Sequence, residues 1–158
     1  MLDVAFILNQ VLEEARQEIL DNHDRAGQVA SGKTASSLRV EVTPSVVSAV
    51  GTIYGRAYFA TLETGSKPWA NQYKHPPRPF VDVIRQWMDD KGVTGLSAYL
   101  VARKIMRDGS KLYRDGSKLY RDGGRTDIFT PPLNDIQRKI DERISKTLET
   151  IITETITR

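Results

Sequence analysis

The most suggestive short motif lies near the amino end, where residues 27–34 read GQVASGKT. This spacing matches the phosphate-binding loop Gly-x-x-x-x-Gly-Lys-Ser/Thr, whose backbone amides hold the phosphates of a nucleotide. That chemistry requires a buried strand before the loop and a helix after it. Here the order is inverted, because a helical pattern precedes the motif and an alternating, strand-like pattern begins at Ser37. The sequence therefore predicts no ATP site.

The other groups that could do chemistry are isolated. Asp21, His23 and Asp24 fall at the end of a helical pattern, where such residues are common for capping reasons. His75 stands among prolines without an orienting partner, and Glu63 is a lone acid in an apolar segment, as expected for a buried, paired structural carboxylate. The absence of cysteine excludes disulfides, thiolate zinc sites and a cysteine nucleophile. The sequence predicts no catalytic residue, metal or cofactor, and hence not an enzyme.

The composition is that of one globular domain. The chain has 158 residues, 39% of them hydrophobic and 27% charged, with a net charge of +3. This mixture supports a lean core, and the weak positive balance does not by itself indicate nucleic-acid binding. Because there is no long apolar run and no basic, cleavable amino end, we expect neither a membrane span nor an exported precursor.

Hydrophobic periodicity predicts the elements that position these groups. In chain order they are an amphipathic helix ending near Asn22, a β-hairpin from Ser37 to Gly51, a short helix ending at Gly65, a Pro-rich loop over 66–79, a helix over Pro79–Lys91, a short, mostly buried helix capped by Thr94, and a last helix capped by Thr130. The predicted fold class is α+β, a small antiparallel hairpin sheet packed against helices, with a long helix at each end. Three regions follow: an α+β domain over 1–108, a loop over 109–130 and the carboxyl-terminal helix over 131–158.

An internal repeat dominates the predicted loop. Residues 107–113 read RDGSKLY, residues 114–120 repeat those seven letters, and a third copy breaks off. Residues 101–125 carry a local charge of +5, against −4 for residues 1–25. Such opposite regions suit a head-to-tail contact between copies, with a solvated loop and helix face as the open alternative. The basic residues that could face DNA are Arg107, Lys111, Arg114, Lys118 and Arg121.

The last helix carries a narrow apolar stripe with steps of three and four residues. A narrow stripe flanked by charge is typical of packing along a neighbouring helix, in the same chain or another. The predicted interface residues are therefore partly aliphatic and partly aromatic anchors on the loops. They are Trp69, Tyr73, Tyr113, Tyr120, Ile140, Ile144 and Leu148.

Three short motifs carry a family resemblance over about residues 1–108. They are Gly32 followed by Ser37-Leu38-Arg39 before the hairpin, Tyr58 followed by Glu63-Thr64-Gly65-Ser66, and Pro79-Phe80 at the start of a helix. In this order they resemble the neck and tail-completion proteins that join head and tail in tailed bacteriophages. Two features depart from that pattern, since Ser66 stands where Thr is usual and the chain adds a repeat and a long final helix.

The resemblance implies a structural virion protein, assembled in the bacterial host cytoplasm. It implies a homo-oligomeric ring of six or twelve copies at the head-tail junction, between portal or adaptor proteins and tail proteins, as a neck, tail-completion or tail-terminator protein. Such a ring seals the channel through which genomic DNA passes without sequence-specific contact, and it involves no membrane. The alternative reading of the same sequence is a nucleic-acid-binding module that uses the basic loop over 103–125.

Overall fold

The computed structural model describes residues 3–46, 48–56, 59–69, 74–116 and 128–156. Its elements are α1 (Val4–Arg25), β1 (Arg39–Pro44), β2 (Ala49–Tyr54), α2 (Ala60–Thr64), α3 (Arg78–Asp90), α4 (Ala98–Asp108), α5 (Lys111–Asp115) and α6 (Thr130–Ile156). The two strands pair antiparallel, from Arg39 opposite Tyr54 to Pro44 opposite Ala49. The predicted α+β class, a hairpin sheet with helices and a long helix at each end, is confirmed.

Helix α1 is the central scaffold, because both strands and α6 pack on it. The side chain of Asp3 accepts a hydrogen bond from the Phe6 amide at 2.9 Å and so caps its first turn. The buried side of α1 repeats at helical spacing, as an amphipathic helix requires. Its buried residues are Ile7, Val11, Leu12, Ala15, Ile19 and His23.

Helix α6 runs antiparallel along α1. Near its start, Asn22 Nδ2 of α1 donates to the Ile128 carbonyl at 3.0 Å. Farther along α6, Lys139 pairs with Glu18 and Arg143 pairs with Glu14. Residue numbers thus increase along α6 where they decrease along α1, as in an antiparallel pair. These ion pairs fix the direction and register of the two long helices.

Two apolar clusters form the core. One joins Ile19 of α1, Leu38 before the hairpin and Ile128 before α6. The other lies between α3 and α4, and its buried members are Val81, Ile84, Met88 and Ala102. Lys91, at the end of α3, donates from Nζ to the Gly27 carbonyl at 2.8 Å and connects the two halves.

Several predicted boundaries and burials differ from the structure. Helix α1 continues to Arg25, because His23 in its last turn is buried. Helix α4 starts at Ala98 and not near Thr94, since Gly95 has a φ of +79° that no helix accommodates. Helix α4 is also not mostly buried, for only Ala102 and Met106 are inaccessible.

The predicted loop over 109–130 is wrong for its first part. There Ser110 accepts a hydrogen bond from the Tyr113 amide and caps the short helix α5. Each Asp-Gly of the repeat within the described residues therefore ends a helix, Gly109 after α4 and Gly116 after α5. Among the described helices, none combines the length and hydropathy needed to cross a membrane.

Candidate assembly surfaces

An apolar groove of about 510 Å³ opens along α3 and α4. Two of its lining side chains are large and accessible, with Val83 63% and Trp87 42% exposed. They lie off the core side of α3, which buries Val81, Ile84 and Met88. The full apolar lining is Phe80, Val83, Ile84, Trp87, Val101 and Ile105. The three- and four-residue spacing of Phe80, Val83, Ile84 and Trp87 predicts this helix but does not show which of them face the core.

The rim of this groove is basic. Lys104 comes from α4, and Lys111 and Arg114 come from α5. Within the described parts of the chain, no carboxylate pairs with these three side chains. Arg107 differs, because its Nε lies 2.6 Å from Asp108 Oδ1, and this hydrogen bond lowers the pKa of Asp108. The groove thus combines an apolar floor with a basic edge, where the charges of Lys104 and Arg114 also act on Asp108.

The basic helix α5 is held in place by a hydrogen-bonded contact with the chain after α2. Ser110 Oγ accepts from the Ser66 amide at 3.0 Å, and the Ser110 amide donates to the Ser66 carbonyl at 2.9 Å. Gly65 has a φ of +74°, and a Cβ there would lie 2.6 Å from Ser110 Oγ and 2.9 Å from Tyr113 Cα. We call this contact of Gly65 and Ser66 with Ser110 and Tyr113 the clasp. Only glycine satisfies both its backbone angle and its close approach.

Glu63, next to the clasp, connects α2 to the start of α6. Its carboxylate is 1% exposed and accepts from the Ile128 amide at 3.3 Å, the Thr130 amide at 3.1 Å and Thr130 Oγ1 at 3.0 Å. Amides in the first turn of a helix have no partner within the helix, and the helix dipole favours a negative charge there. The prediction of a buried, paired structural carboxylate is confirmed.

The outer side of α6 is only partly covered. From Leu133 to Glu154 none of its residues is buried, and Leu148 and Ile152 are 42% and 56% exposed. At about 100° per residue, one sector of roughly 120° collects acidic and apolar side chains between Asp141 and Ile152. Arg138 lies in the same sector one turn earlier and pairs with Asp135 and Glu142. We call this sector the acidic-apolar face of α6. Its members are Asp141, Glu142, Ser145, Leu148, Glu149 and Ile152.

A second cleft, of about 430 Å³, lies between α3 and the loop that contains Gly32-Lys33-Thr34, here called the GKT segment. His23 is 2% exposed there, and both of its ring nitrogens lack a hydrogen-bond partner among the described residues, as does Gln28 Oε1. Burial, with help from the nearby Lys91 ammonium and against the effect of Asp24, lowers the pKa of His23 below its usual 6.5. His23 is therefore neutral in the folded chain near pH 7.

The GKT segment does not form a phosphate cradle. It follows α1 and leads through a single 3-10 turn, Ala35–Ser37, into β1. The Ser36 amide donates to the Gly32 carbonyl at 3.0 Å and the Ser37 amide to the Thr34 carbonyl at 3.1 Å. Within the motif itself, the Gly27 amide donates to the Asp24 carbonyl at 2.8 Å and the Gln28 amide to the His23 carbonyl at 3.3 Å. These two amides close the end of α1 and are not directed at a ligand.

The predicted aromatic anchors pack within the chain where they are described. Trp69 is half-buried, its ring meets Phe80 edge to face with centroids 5.2 Å apart, and its amide donates to the Met106 carbonyl at 2.9 Å. Tyr113 is half-buried in the clasp. Tyr73 and Tyr120 lie outside the described residues. The structure therefore assigns Trp69 and Tyr113 contacts within their own chain.

The other predicted site residues divide into three groups. Ile140 and Ile144 are half-buried on α6, whereas Leu148 is exposed. Lys111 and Arg114 border the groove, and Arg107 is paired with Asp108. Lys118 and Arg121 lie outside the described residues.

Three of the six acidic residues in 1–25 form ion pairs within the chain. Glu13 pairs with Arg16 of the same helix, and Glu14 and Glu18 pair with basic residues of α6. The prediction that this acidic region contacts the basic repeat of a neighbour is not supported for these three glutamates. Their α6 partners were not part of the sequence prediction, because the pairing depends on the register of the two helices.

No protein-family model, curated protein or solved structure matches this chain. A functional assignment therefore depends on the surfaces described above and on the motifs of the sequence.

Proposed function

We propose that this chain is a structural subunit that assembles with copies of itself, and that its place is the ring at the head-tail junction of a tailed bacteriophage. The observation that carries the proposal is the exposure of large apolar side chains on separate helices, Val83 and Trp87 on α3 and Leu148 and Ile152 on α6. Contiguous exposed apolar surface bordered by charge is typical of protein interfaces. In an assembly, neighbouring subunits cover these residues.

The specific virion role is supported by the resemblance of the sequence motifs. Two of these motifs have structural roles in this chain. Glu63 and Gly65 join α2 to α6 and α5, and Pro79 stands in the first turn of α3, which lines the groove. In the proposed role the ring seals the DNA channel and connects portal or adaptor proteins to tail proteins, as a neck, tail-completion or tail-terminator protein. The proposed location is the virion.

Two measurements test this proposal together. Light scattering coupled to size-exclusion chromatography, with negative-stain electron microscopy, should show a closed ring of the purified chain. Mass spectrometry of purified virions should detect the chain in stoichiometric amounts. A chain that stays monomeric at tens of micromolar concentration and is absent from virions would refute the proposal.

The alternative nucleic-acid role has one observation in its favour, the positive rim of Lys104, Lys111 and Arg114. It predicts binding of the isolated chain to duplex DNA, with an affinity that falls steeply between about 50 and 200 mM salt because counterions are released. A ring-forming chain without such binding would favour the structural role alone.

A further inference from the structure

We infer that the acidic-apolar face of α6 from one copy docks in the groove along α3 and α4 of the next copy. The inference rests on the proposed function and names the two surfaces through which the subunits join. Both surfaces belong to one chain but to different helices, so the contact is head to tail.

The last turns of α6 extend beyond the described start of α1. Lys146 and Thr147 line a shallow cleft with Asp3 and Phe6, so the described part of α1 begins beside this point of α6. Helix α6 continues to Ile156 and therefore extends past Asp3 by more than one turn. In this part Leu148 and Ile152 are exposed, because they lie away from the α1 side.

The apolar parts of the two surfaces are complementary. Leu148 and Ile152 are four residues apart and project from the same side of the helix. An amphipathic helix that enters a groove uses such i, i+4 anchors. The groove offers an apolar floor on which Val83 and Trp87 are exposed. Burial of these four side chains against each other removes apolar surface from water in both copies.

The charges of the two surfaces are also complementary. Lys104, Lys111 and Arg114 border the groove, while Asp141 and Glu149 flank the anchors on α6. Among the described residues, no ion pair joins either set to a side chain of opposite charge, although the charges of Lys104 and Arg114 act on Asp108, which is hydrogen-bonded to Arg107. Complementary charges at the edge of an interface mainly fix orientation and speed association. We therefore expect the apolar anchors to supply most of the affinity and the charges to select the pairing.

The geometry of this contact sets the kind of assembly. Within one chain α6 packs along α1, and the groove belongs to the α3–α4 pair. Each copy then uses its α6 toward one neighbour and its groove toward the other. A heterologous contact of this kind closes into a ring when its rotation divides a full turn, and otherwise continues as a filament.

A charge-reversal exchange tests the contact. Variant A carries Lys104→Glu and Lys111→Glu, and variant B carries Asp141→Lys and Glu149→Lys. We expect each variant alone to assemble at least about tenfold more weakly than the unmodified chain, measured by light scattering at equal concentration. An equimolar mixture of A and B should regain assembly, because every groove then meets an α6 face of opposite charge.

Matched controls keep the result specific. Arg103→Glu changes an exposed charge on α4 outside the groove, and Glu154→Lys changes one on another side of α6. Both should assemble as the unmodified chain does, and circular dichroism should show all variants folded, since exposed substitutions cost little stability. The apolar variant Leu148→Ser with Ile152→Ser should lose assembly while remaining folded.

The outcomes separate the inference from the proposed function. Rings that form equally well from A alone, B alone and the apolar variant would overturn the docking contact and leave the ring proposal standing. Loss of assembly in A and B without recovery in the mixture would overturn the head-to-tail pairing. An unmodified chain that is monomeric would overturn both.

Discussion

Replacement of Glu63 should destabilise the fold more than any surface change, because its carboxylate supports the start of α6. In Glu63→Ala, the Ile128 amide, the Thr130 amide and the Thr130 hydroxyl lose their acceptor. A buried donor without a partner costs about 1–3 kcal/mol, and the cavity left by the side chain adds about 1–2 kcal/mol. Since the Thr130 groups are only partly buried, we expect a total loss of about 3–5 kcal/mol in the free energy of unfolding.

The isosteric variant separates charge from shape. In Glu63→Gln the Oε1 acceptor and the packing remain, while the negative charge at the helix N-terminus is lost and the new amide group donates to Thr130 Oγ1 where Oε2 accepted from it. We therefore expect a cost of about 1–2 kcal/mol. Urea unfolding followed by circular dichroism at one fixed protein concentration measures both values. Glu149→Ala, an exposed change on the same protein, should stay within about 0.5 kcal/mol. A loss below about 1 kcal/mol for Glu63→Ala would refute the reasoning.

Two further predictions concern the clasp and the buried imidazole. Gly65→Ala should lower the free energy of unfolding by about 2–4 kcal/mol, through backbone strain and close contact. Gly27→Ala, also at positive φ but with open space around it, should lower it by only about 1 kcal/mol. Equal losses for the two variants in urea unfolding would show that the clasp does not explain the effect. Because the folded chain keeps His23 at a lowered pKa, the unfolded chain binds the proton first, and stability should fall as the pH drops below about 6.5, by up to about 1.4 kcal/mol per pH unit. His23→Leu should remove most of the change in stability between about pH 7.5 and about pH 5.5, whereas the exposed control His75→Gln should keep it. An unchanged slope of stability against pH in His23→Leu would contradict the role assigned to His23.

The regular elements could be predicted from the sequence because their signals are local. Alternation after Ser37 and three- and four-residue spacing in α1 and α6 each depend on residues within a few turns. The positions that differ depend on contacts distant in sequence. Helix α3 has apolar residues around more than half of its circumference, and periodicity alone does not tell which part faces α4.

The candidate site was less predictable for the same reason. Leu148 was identified from its stripe on α6, but the spacing that predicts α3 does not distinguish exposed Val83 and Trp87 from buried Ile84. The exposed position of Ile152 had no separate signal. The stretch over 109–130 was predicted as a loop, whereas Ser110 caps α5 directly after Gly109 ends α4. The sequence identifies residues such as Gly109 that favour the end of an element. Whether a loop or a helix comes next depends on a contact distant in sequence, here that of Ser110 with Ser66.

The clasp uses one unit of the repeat, so its contacts do not depend on how many units follow. Among the described residues, the first unit, 107–113, supplies the serine and tyrosine that contact Gly65 and Ser66. The second unit has the same seven residues, and its Gly116 ends α5 at a φ of 75°, close to the 81° of Gly109. Removal of either unit leaves an identical Gly-Ser-Lys-Leu-Tyr stretch to close on Ser66. We therefore expect that adding or removing one unit changes the chain length by seven residues while the contact with Gly65 and Ser66 is kept.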